Sequence, residues 1–191
     1  MIWLGYRLQL LPLMQCREYL TDIEWQYAQT LSTKRAQQFC NGRALVRKLL
    51  QQYHDISCDN IIIVLPTDKA PTLSILGEPW QLSISHSAQA VAVAVSQSNQ
   101  LGVDIEQIKT RNIIEFSAEY TALSGAENLT EFYQRWTTAE AYSKYSGEPL
   151  LNLLQQSAKL QQPQHHLSLQ GYMLCLMYQY VDAKLEINEQ K

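Results

Sequence analysis

The chain has 191 residues, of which 46% are hydrophobic and 17% are charged, and its formal net charge at pH 7 is −3. This composition excludes a disordered chain, and the acidic balance argues against a general binder of nucleic acids or other polyanions. We therefore expect one domain or two small, closely packed halves, in which any phosphate site is a local basic cluster.

The N-terminal stretch MIWLGYRLQLLPLMQC is apolar enough to suggest a signal peptide. It has no cationic start, Arg7 interrupts the apolar run, and no small-residue cleavage site follows Leu13. We interpret it as a first strand, and we expect no membrane-spanning segment anywhere in the sequence. The four cysteines are scattered and form no C-x-x-C pair, which is typical of reduced thiols in a cytoplasmic protein.

Helical and strand patterns then alternate along the chain. Residues 18–53 are rich in helix formers and end in GRALVRKLLQQY, whereas residues 61–65 are a short β-branched run that predicts a strand. The proline-broken stretch PTDKAPTLSILGEP predicts a loop. The runs LSISHS, AVAVAVS and LGVDIE predict three strands. We expect the second to be buried on both faces and to pair with the third as a β-hairpin across the turn QSNQ.

Beyond the turn near Gln100 the pattern becomes helical and then returns to strands. Residues 128–146 predict a long helix that ends at Gly147. The stretch HHLSLQGYMLCLMYQY predicts further strands, followed by a polar tail. The predicted fold class is therefore α+β or α/β, with a loose division into residues 1–100 and 101–191.

Two groups of residues are interpreted as structural rather than functional. The adjacent His165 and His166 follow a region rich in proline and glutamine, and we expect them to be solvated loop residues rather than a metal pair. The tryptophans outside the long helix are expected to be packing residues: Trp3, Trp25 and Trp80.

The stretch GVDIE places two acids two residues apart in an otherwise apolar strand. Because successive side chains on a strand alternate, Asp104 and Glu106 point to the same face. Two neighbouring carboxylates repel each other unless a cation lies between them. The alternative is a half-exposed strand with an acidic outer face, and this stretch alone favours that alternative.

The long predicted helix carries a second acidic feature. Trp136, Glu140 and Lys144 are spaced i, i+4 and i+8 and lie on one stripe. Trp136 is large enough to dock this stripe against the core, which would aim Glu140 and Lys144 at the same place. The alternative is a surface Glu–Lys pair, which contributes only about 0.3–0.5 kcal/mol.

A third feature, Ser85-His86-Ser87, ends a predicted strand just before a tight connection. A Ser/His pair suggests a hydrolase, but neighbouring side chains diverge on a strand, whereas a catalytic triad needs its nucleophile and base to converge. The sequence also lacks a G-x-S-x-G elbow. Phosphate contact through a hydroxyl, an imidazole and backbone N–H groups suits this stretch better.

Three motifs of this sequence resemble, in the same order, those of the 4′-phosphopantetheinyl transferases: S-H-S, G-V-D-I-E and W-T-x-x-E-A-x-x-K. Length and motif order resemble the two-lobed type, which activates carrier proteins of surfactin and siderophore synthetases and related systems. KRAQQFCNGRALVRKLL is similar to the family's basic segment and G-R-A-L-x-R helix, and FSAEY to its stretch before the tryptophan motif. The resemblance implies an α+β fold of two similar, pseudo-twofold lobes, residues 1–100 and 101–191, with a metal site at their interface.

The resemblance also implies a reaction, that of a holo-[acyl-carrier-protein] synthase. Such an enzyme transfers the 4′-phosphopantetheine arm of coenzyme A to a serine of an apo acyl or peptidyl carrier protein and releases 3′,5′-ADP. By resemblance, Asp104, Glu106 and Glu140 bind Mg²⁺, which prefers oxygen ligands and would remove the repulsion between the acids. Glu140 is in addition our candidate base for the serine.

Further residues are implied as phosphate ligands. Lys144 would contact a phosphate at the catalytic centre. The residues that would grip the nucleotide phosphates of coenzyme A are Lys34, Arg43, Lys69, Ser85 and His86. The implied partners are coenzyme A and an acidic carrier protein, with no nucleic acid and no membrane, and we expect a cytoplasmic monomer.

The sequence departs from the family pattern at three places. Ala139 stands where the family usually has a lysine, immediately before the helix glutamate. The family's upstream G-K-P appears as Lys69-Ala70-Pro71, and its K-x-x-G-x-G-L appears as KYSGEPL. These departures leave open a non-catalytic homologue that only binds carrier proteins. An unrelated Mg²⁺-dependent phosphohydrolase is a further alternative.

Overall fold

The structure is a computed structural model that describes residues 1–54, 56–65, 70–156 and 162–190. These residues form nine strands in two sheets together with six α-helices, which confirms the predicted α+β class. The strands are β1 (Ile2–Arg7), β2 (Ile61–Ile63), β3 (Leu73–Ile75), β4 (Glu78–Ser87), β5 (Ala90–Ser96), β6 (Leu101–Gln107), β7 (Gln164–Leu169), β8 (Tyr172–Tyr178) and β9 (Leu185–Glu189). The helices are α1 (Leu13–Cys16), α2 (Asp22–Gln29), α3 (Thr33–His54), α4 (Ile113–Glu119), α5 (Leu129–Ser146) and α6 (Leu150–Leu154).

The larger sheet has six strands in the order β2-β3-β4-β5-β1-β9. Neighbouring strands are antiparallel except β1 and β9, which run parallel. All residues of β5 are buried, which confirms the prediction that both of its faces are covered. Because side chains alternate along a strand, the valines of β5 pack toward α3 and its alanines pack toward the second sheet.

The smaller sheet has three antiparallel strands in the order β6-β8-β7, and α5 covers its outer face. An apolar core between the two sheets joins residues of β1 and β5 to residues of β6 and β8, among them Leu4, Ala92, Val103 and Leu174. β6 is the edge strand of its sheet, and it lies against β4 of the larger sheet. The two sheets therefore meet along β4 and β6, where the predicted motifs lie.

The long helix α5 begins and ends at clear local signals. The side chain of Asn128 accepts a hydrogen bond from the Glu131 backbone N–H at 3.0 Å, an N-terminal cap that satisfies one free donor of the first turn. Gly147 ends the helix with a φ of 77°, in the left-handed region that glycine adopts without steric cost. The predicted helix is thereby confirmed. No helix within the described ranges is long and apolar enough to cross a membrane.

Three predictions about the strands are wrong. β5 and β6 do not form a hairpin, because β4 and β1 occupy both edges of β5 and β6 pairs with β8 in the other sheet. The stretch predicted to be a loop contains β3, which pairs with β2 and β4. The polar tail contains β9, which lies at the edge of the larger sheet, where charged side chains remain in contact with solvent.

The predictions for histidine and tryptophan have different outcomes. His166 is not in a loop: it lies in β7, and its Nε2 atom is 2.9 Å from the hydroxyl oxygen of Thr138 on α5. Trp3 and Trp80 are packing residues as predicted, with stacked rings whose centroids are 5.9 Å apart. The ring of His54 packs edge-on against both. Aromatic burial therefore anchors the end of α3 to the larger sheet.

Candidate metal and active site

Three carboxylates converge where β6 meets α5. Val103 and Ile105 enter the core between the sheets, so the alternating Asp104 and Glu106 face the other way. Glu140 reaches the same place from α5, and one ligand oxygen from each of the three acids lies within 4.8 Å of the others. Asp104 is only 1% exposed, which rules out the alternative of an acidic outer face.

The close approach of β6 to α5 depends on Gly102. A Cβ atom at this position would lie 2.7 Å from the backbone nitrogen of Tyr145 and still closer to the carbonyl oxygen of Ala141. Because both are main-chain atoms of α5, no side-chain rotation could relieve these contacts. Gly102 therefore sets the distance between Glu140 and the acids of β6. Sequence reasoning missed this role, although the glycine opens the G-V-D-I-E motif.

Lys144 is a cation that contacts this acidic cluster. Its Nζ atom lies 2.8 Å from Asp104 Oδ1 and 3.1 Å from the carbonyl oxygen of Val103. The lysine side chain is 31% exposed, whereas its partner Asp104 is buried. One lysine offsets only part of the negative charge of three carboxylates, and this imbalance favours the binding of another cation.

Burial and mutual repulsion also change the acidity of the cluster. Burial, together with the neighbouring charges of Asp104 and Glu106, raises the pKa of Glu140 to about 7, although Lys144 acts in the opposite direction. The pKa of Glu106 is raised too, mainly by burial. Trp136 donates a hydrogen bond from Nε1 to Glu140 Oε1 at 2.8 Å. The predicted stripe on α5 therefore orients Glu140 as well as packing the helix.

The donor set of this cluster fits a magnesium ion. Mg²⁺ is usually held by a few carboxylates together with water and substrate phosphate oxygens. Asp104 Oδ2 is buried and has no hydrogen-bond partner among the described residues, although buried polar atoms are almost always paired. Asp104, Glu106 and Glu140 would hold the cation, which would give this orphaned oxygen a partner.

The serines of the S-H-S motif lie beside the acids. The buried Ser85 hydroxyl donates to Asp104 Oδ1 at 2.7 Å, and the Ser87 hydroxyl donates to Glu106 Oε2 at 2.7 Å. His86, between them, lies on the opposite side of β4 and lines a pocket there. The Ser85 hydroxyl thus already has protein partners, which does not favour the phosphate contact predicted for it.

The pocket beside His86 combines cationic and aromatic side chains. It has a volume of about 230 Å³, and its lining includes Arg35, Arg43 and the rings of Tyr27 and Phe39. Burial lowers the pKa of His86, and the positive charge of Arg35 adds to this effect. The imidazole is therefore a neutral hydrogen-bonding group near pH 7. Such a pocket suits an anionic ligand with a flat ring.

Arg43 takes part in a buried ion-pair network as well as in the pocket wall. Its Nε atom lies 3.0 Å from Glu24 Oε1, and its Nη2 atom donates to the carbonyl oxygen of Val64 at 2.8 Å. Arg47 binds the same Glu24 carboxylate. Burial lowers the pKa of Arg43. The network holds α2 and the end of β2 against α3, and its members were not recognised as partners from sequence.

The remaining predicted phosphate ligands have different positions. Lys34 is exposed and is not among the described residues that line the pocket, whereas its neighbour Arg35 does line it. Sequence reasoning missed Arg35, although the two adjacent cations KR were a sufficient signal. Lys69 lies outside the described residues.

Ala139, where the family usually has lysine, is turned away from the acids. It is 3% exposed and packs with Phe132 and Met173 in the core between α5 and the smaller sheet. The departure at this position therefore does not remove a cation from the acidic cluster of this fold.

Comparisons with known proteins agree with the geometry. Residues 100–181, which contain β6, α5 and all three acids, match the family model of the 4′-phosphopantetheinyl transferase superfamily. HetI, a 4′-phosphopantetheinyl transferase of Nostoc sp. strain PCC 7120, is 26% identical to this chain over 130 residues. The alignment covers 60% of this chain and 54% of HetI, so the chain spans about half the length of this curated relative.

Proposed function

We propose that this protein is a phosphopantetheinyl transferase. The premise is that residues 100–181 match the family model of the 4′-phosphopantetheinyl transferase superfamily. In the proposed reaction, the 4′-phosphopantetheine arm of coenzyme A moves to a serine of an apo acyl or peptidyl carrier protein. The observation that carries the proposal is the convergence of Asp104, Glu106 and Glu140 in the matched segment, with ligand atoms within 4.8 Å.

The three acids would hold a Mg²⁺ ion through carboxylate oxygens, including the orphaned Oδ2 of Asp104. When bound, the ion would supply positive charge that polarises the phosphoryl oxygens and stabilises the leaving 3′,5′-ADP. Lys144 lies beside Asp104 and is exposed enough to reach a pyrophosphate oxygen as well. The bound ion and Lys144 together would place positive charge where negative charge develops during phosphoryl transfer.

Glu140 is our candidate for the base, acting directly or through a water. It lies at the acidic cluster, and Trp136 holds one of its two oxygens and so orients the carboxylate. The serine proton passes to this base while the serine oxygen forms a bond to the phosphorus that bears the pantetheine arm. The bond from that phosphorus to the bridging oxygen breaks, and 3′,5′-ADP leaves with the electron pair.

The pocket beside His86 is proposed to take the nucleotide end of coenzyme A. Arg35 offers a cationic donor, and Tyr27 and Phe39 offer apolar ring surface. Arg43 adds positive charge to the pocket wall, although Glu24 and Val64 already bind its Nε and Nη2. His86 lies between Ser85 and Ser87 on β4, whose hydroxyls contact the acids, and it faces the other side of the strand. In this proposal the pyrophosphate of a nucleotide bound in the pocket extends past β4 toward the acids.

The carrier protein is proposed to dock beside the acids, at the basic loop Lys109-Thr110-Arg111. All three loop residues are exposed, and the loop follows β6 directly. The hydroxyl of Tyr133 on α5 accepts hydrogen bonds from the Lys109 backbone N–H and the Arg111 Nε, which fixes the loop. An acidic partner would be attracted to this loop despite the net charge of the chain. A cytoplasmic location is part of the proposal, and the four free cysteines agree with it.

Replacing Lys144 by alanine is expected to raise the KM for coenzyme A about tenfold or more, because the loss of one charge-assisted hydrogen bond weakens binding by about this factor. The side chain is partly exposed, so the fold should tolerate the change. Steady-state kinetics over a range of coenzyme A concentrations measure the effect. Lys184→Ala, remote from the acidic cluster in sequence, is the control. An unchanged KM in Lys144→Ala would contradict the phosphate role.

The transfer itself is tested by intact-mass spectrometry of an apo acyl carrier protein and an apo peptidyl carrier domain. Each is incubated with this protein, coenzyme A and Mg²⁺, and a parallel reaction contains EDTA. A mass gain of one phosphopantetheine that EDTA prevents is the expected result. Carrier binding without any mass gain would favour a non-catalytic homologue, and phosphate release from a small substrate would favour a phosphohydrolase.

A further inference from the structure

Three serines on β4 face the free edge of β6 in a regular series, which we call the serine ladder: Ser83, Ser85 and Ser87. They alternate along β4, so their side chains share one face of the strand. Their hydroxyl oxygens accept hydrogen bonds from alternate backbone N–H groups of β6, at 2.9 Å, 3.3 Å and 3.1 Å. The ladder joins the two sheets without any backbone pairing between β4 and β6.

The ladder satisfies donors that an edge strand would otherwise leave free. β6 lies at the edge of the smaller sheet, and the N–H groups of an edge strand have no neighbouring strand to bind. In a buried junction such groups need partners. Each serine hydroxyl therefore takes the place of a carbonyl oxygen of a neighbouring strand.

Two members of the ladder make an additional contact. The Ser85 hydroxyl donates to Asp104 Oδ1, and the Ser87 hydroxyl donates to Glu106 Oε2, both at 2.7 Å. A hydroxyl has only one proton, and the N–H of β6 brings its own hydrogen. The serine proton is therefore directed to the carboxylate, and the direction of both hydrogen bonds is fixed. Ser83 accepts the same kind of hydrogen bond from a backbone N–H of β6. Within the described residues, however, it forms no hydrogen bond with either acid of β6.

We propose that Ser85 and Ser87 are positioning residues that preorganise Asp104 and Glu106 for a divalent cation, whereas Ser83 only joins the sheets. Ser85 and Lys144 hold Oδ1 of Asp104, so Oδ2 is the oxygen left without a hydrogen-bond partner among the described residues and available to a cation. The inference rests on the metal site of the proposed function. It assigns to the serines of S-H-S a role other than phosphate binding.

The test compares alanine variants of the three serines by their affinity for Mn²⁺, a carboxylate-binding stand-in for Mg²⁺ that is detected by electron paramagnetic resonance. Hydrogen bonds that orient metal ligands are worth about 10–100-fold in metal affinity. Ser85→Ala and Ser87→Ala are therefore expected to weaken Mn²⁺ binding about tenfold or more. Ser83→Ala is the matched control, because it removes the same link to β6 and should change the affinity by less than about twofold.

All three variants should lose some thermal stability, because each leaves one N–H of β6 without its partner. Thermal melts therefore report the role in joining the sheets, and the Mn²⁺ dissociation constant reports the positioning role. Ser87→Thr keeps the hydroxyl at a half-buried position, and it should bind Mn²⁺ as the wild type does. Because Ser87 is only partly buried, its variants test the inference even if Ser85→Ala does not fold.

The titrations contain neither coenzyme A nor carrier protein, so the inference can fail separately from the proposed transfer. Equal Mn²⁺ affinities in Ser83→Ala, Ser85→Ala and Ser87→Ala would overturn the inference while leaving transfer untouched. Weaker binding in the latter two would support it even if no carrier protein were modified. If the wild-type protein bound no Mn²⁺ at all, both the inference and the proposed metal site would be wrong.

Discussion

Replacing Glu140 by glutamine is expected to abolish transfer and, at the same time, to make the metal-free protein more stable. Glutamine has nearly the same shape and can still accept the hydrogen bond from Trp136. The change removes one of three carboxylates that repel each other. Among the ion pairs of the described residues, only the one between Lys144 and Asp104 offsets this repulsion. Loss of one preorganised charged group at a reaction centre typically costs about 10²–10³-fold in rate.

The gain in stability should depend on pH, because the pKa of Glu140 in the folded protein is raised from 4.5 to about 7. Below pH 4.5 the acid is protonated in both the folded and the unfolded state, so glutamine and glutamic acid should be nearly equivalent. As the pH rises from 4.5 to about 7, the unfolded chain ionises first, and the wild-type protein loses stability that the variant keeps. Above this window the difference should stay constant.

Thermal melts in EDTA at about pH 5 and about pH 8 measure the difference in stability between the variant and the wild type. Each kcal/mol of this difference should shift the Tm by about 2–4 °C. Glu127→Gln is the matched control, because Glu127 is exposed just before α5 and lies outside the acidic cluster. Added Mg²⁺ should raise the Tm of the wild type and of Glu127→Gln but not that of Glu140→Gln. A Glu140→Gln protein that still transfers, or that is less stable than the wild type at both pH values, would contradict the assignment.

The acids of this site could be found from sequence because they follow local rules. Strand alternation places Asp104 and Glu106 on one face, and helical spacing places Trp136 beside Glu140. The buried AVAVAVS strand and the helix that ends at Gly147 follow from equally local signals. The contact between β6 and α5 joins residues far apart in the sequence. The order of the motifs indicated this contact only indirectly.

Roles that depend on a partner far along the chain could not be predicted in this way. The contact of Ser85 with Asp104 of another sheet was not predicted, and its phosphate role stays a prediction. The buried ion pair of Arg43 with Glu24 of α2 was not predicted either, and its role as a phosphate ligand likewise stays a prediction. The hairpin between β5 and β6 failed for a similar reason, because a sequence pattern does not reveal that β1 already occupies the other edge of β5.

Replacing Gly102 by alanine is expected to impair both the fold and the site, although alanine is the smallest possible addition. The new Cβ would lie 2.7 Å from the Tyr145 backbone nitrogen and closer still to the Ala141 carbonyl oxygen. Relief requires α5 to move away from β6, and overpacking of this kind costs about 1–3 kcal/mol or more. The movement would carry Glu140 away from Asp104 and Glu106.

Gly5→Ala is the matched control for this variant. It also adds a methyl group to a buried strand glycine, but its nearest neighbours are side-chain methyl groups of Leu49 and Leu45, at 3.3–3.5 Å, which can shift. The Tm, the Mn²⁺ dissociation constant and the transfer rate are measured for both variants. We expect Gly5→Ala to keep metal binding and transfer, and Gly102→Ala to lose both even where it remains folded. Wild-type Mn²⁺ affinity in Gly102→Ala would mean that the distance between β6 and α5 does not control the acidic cluster.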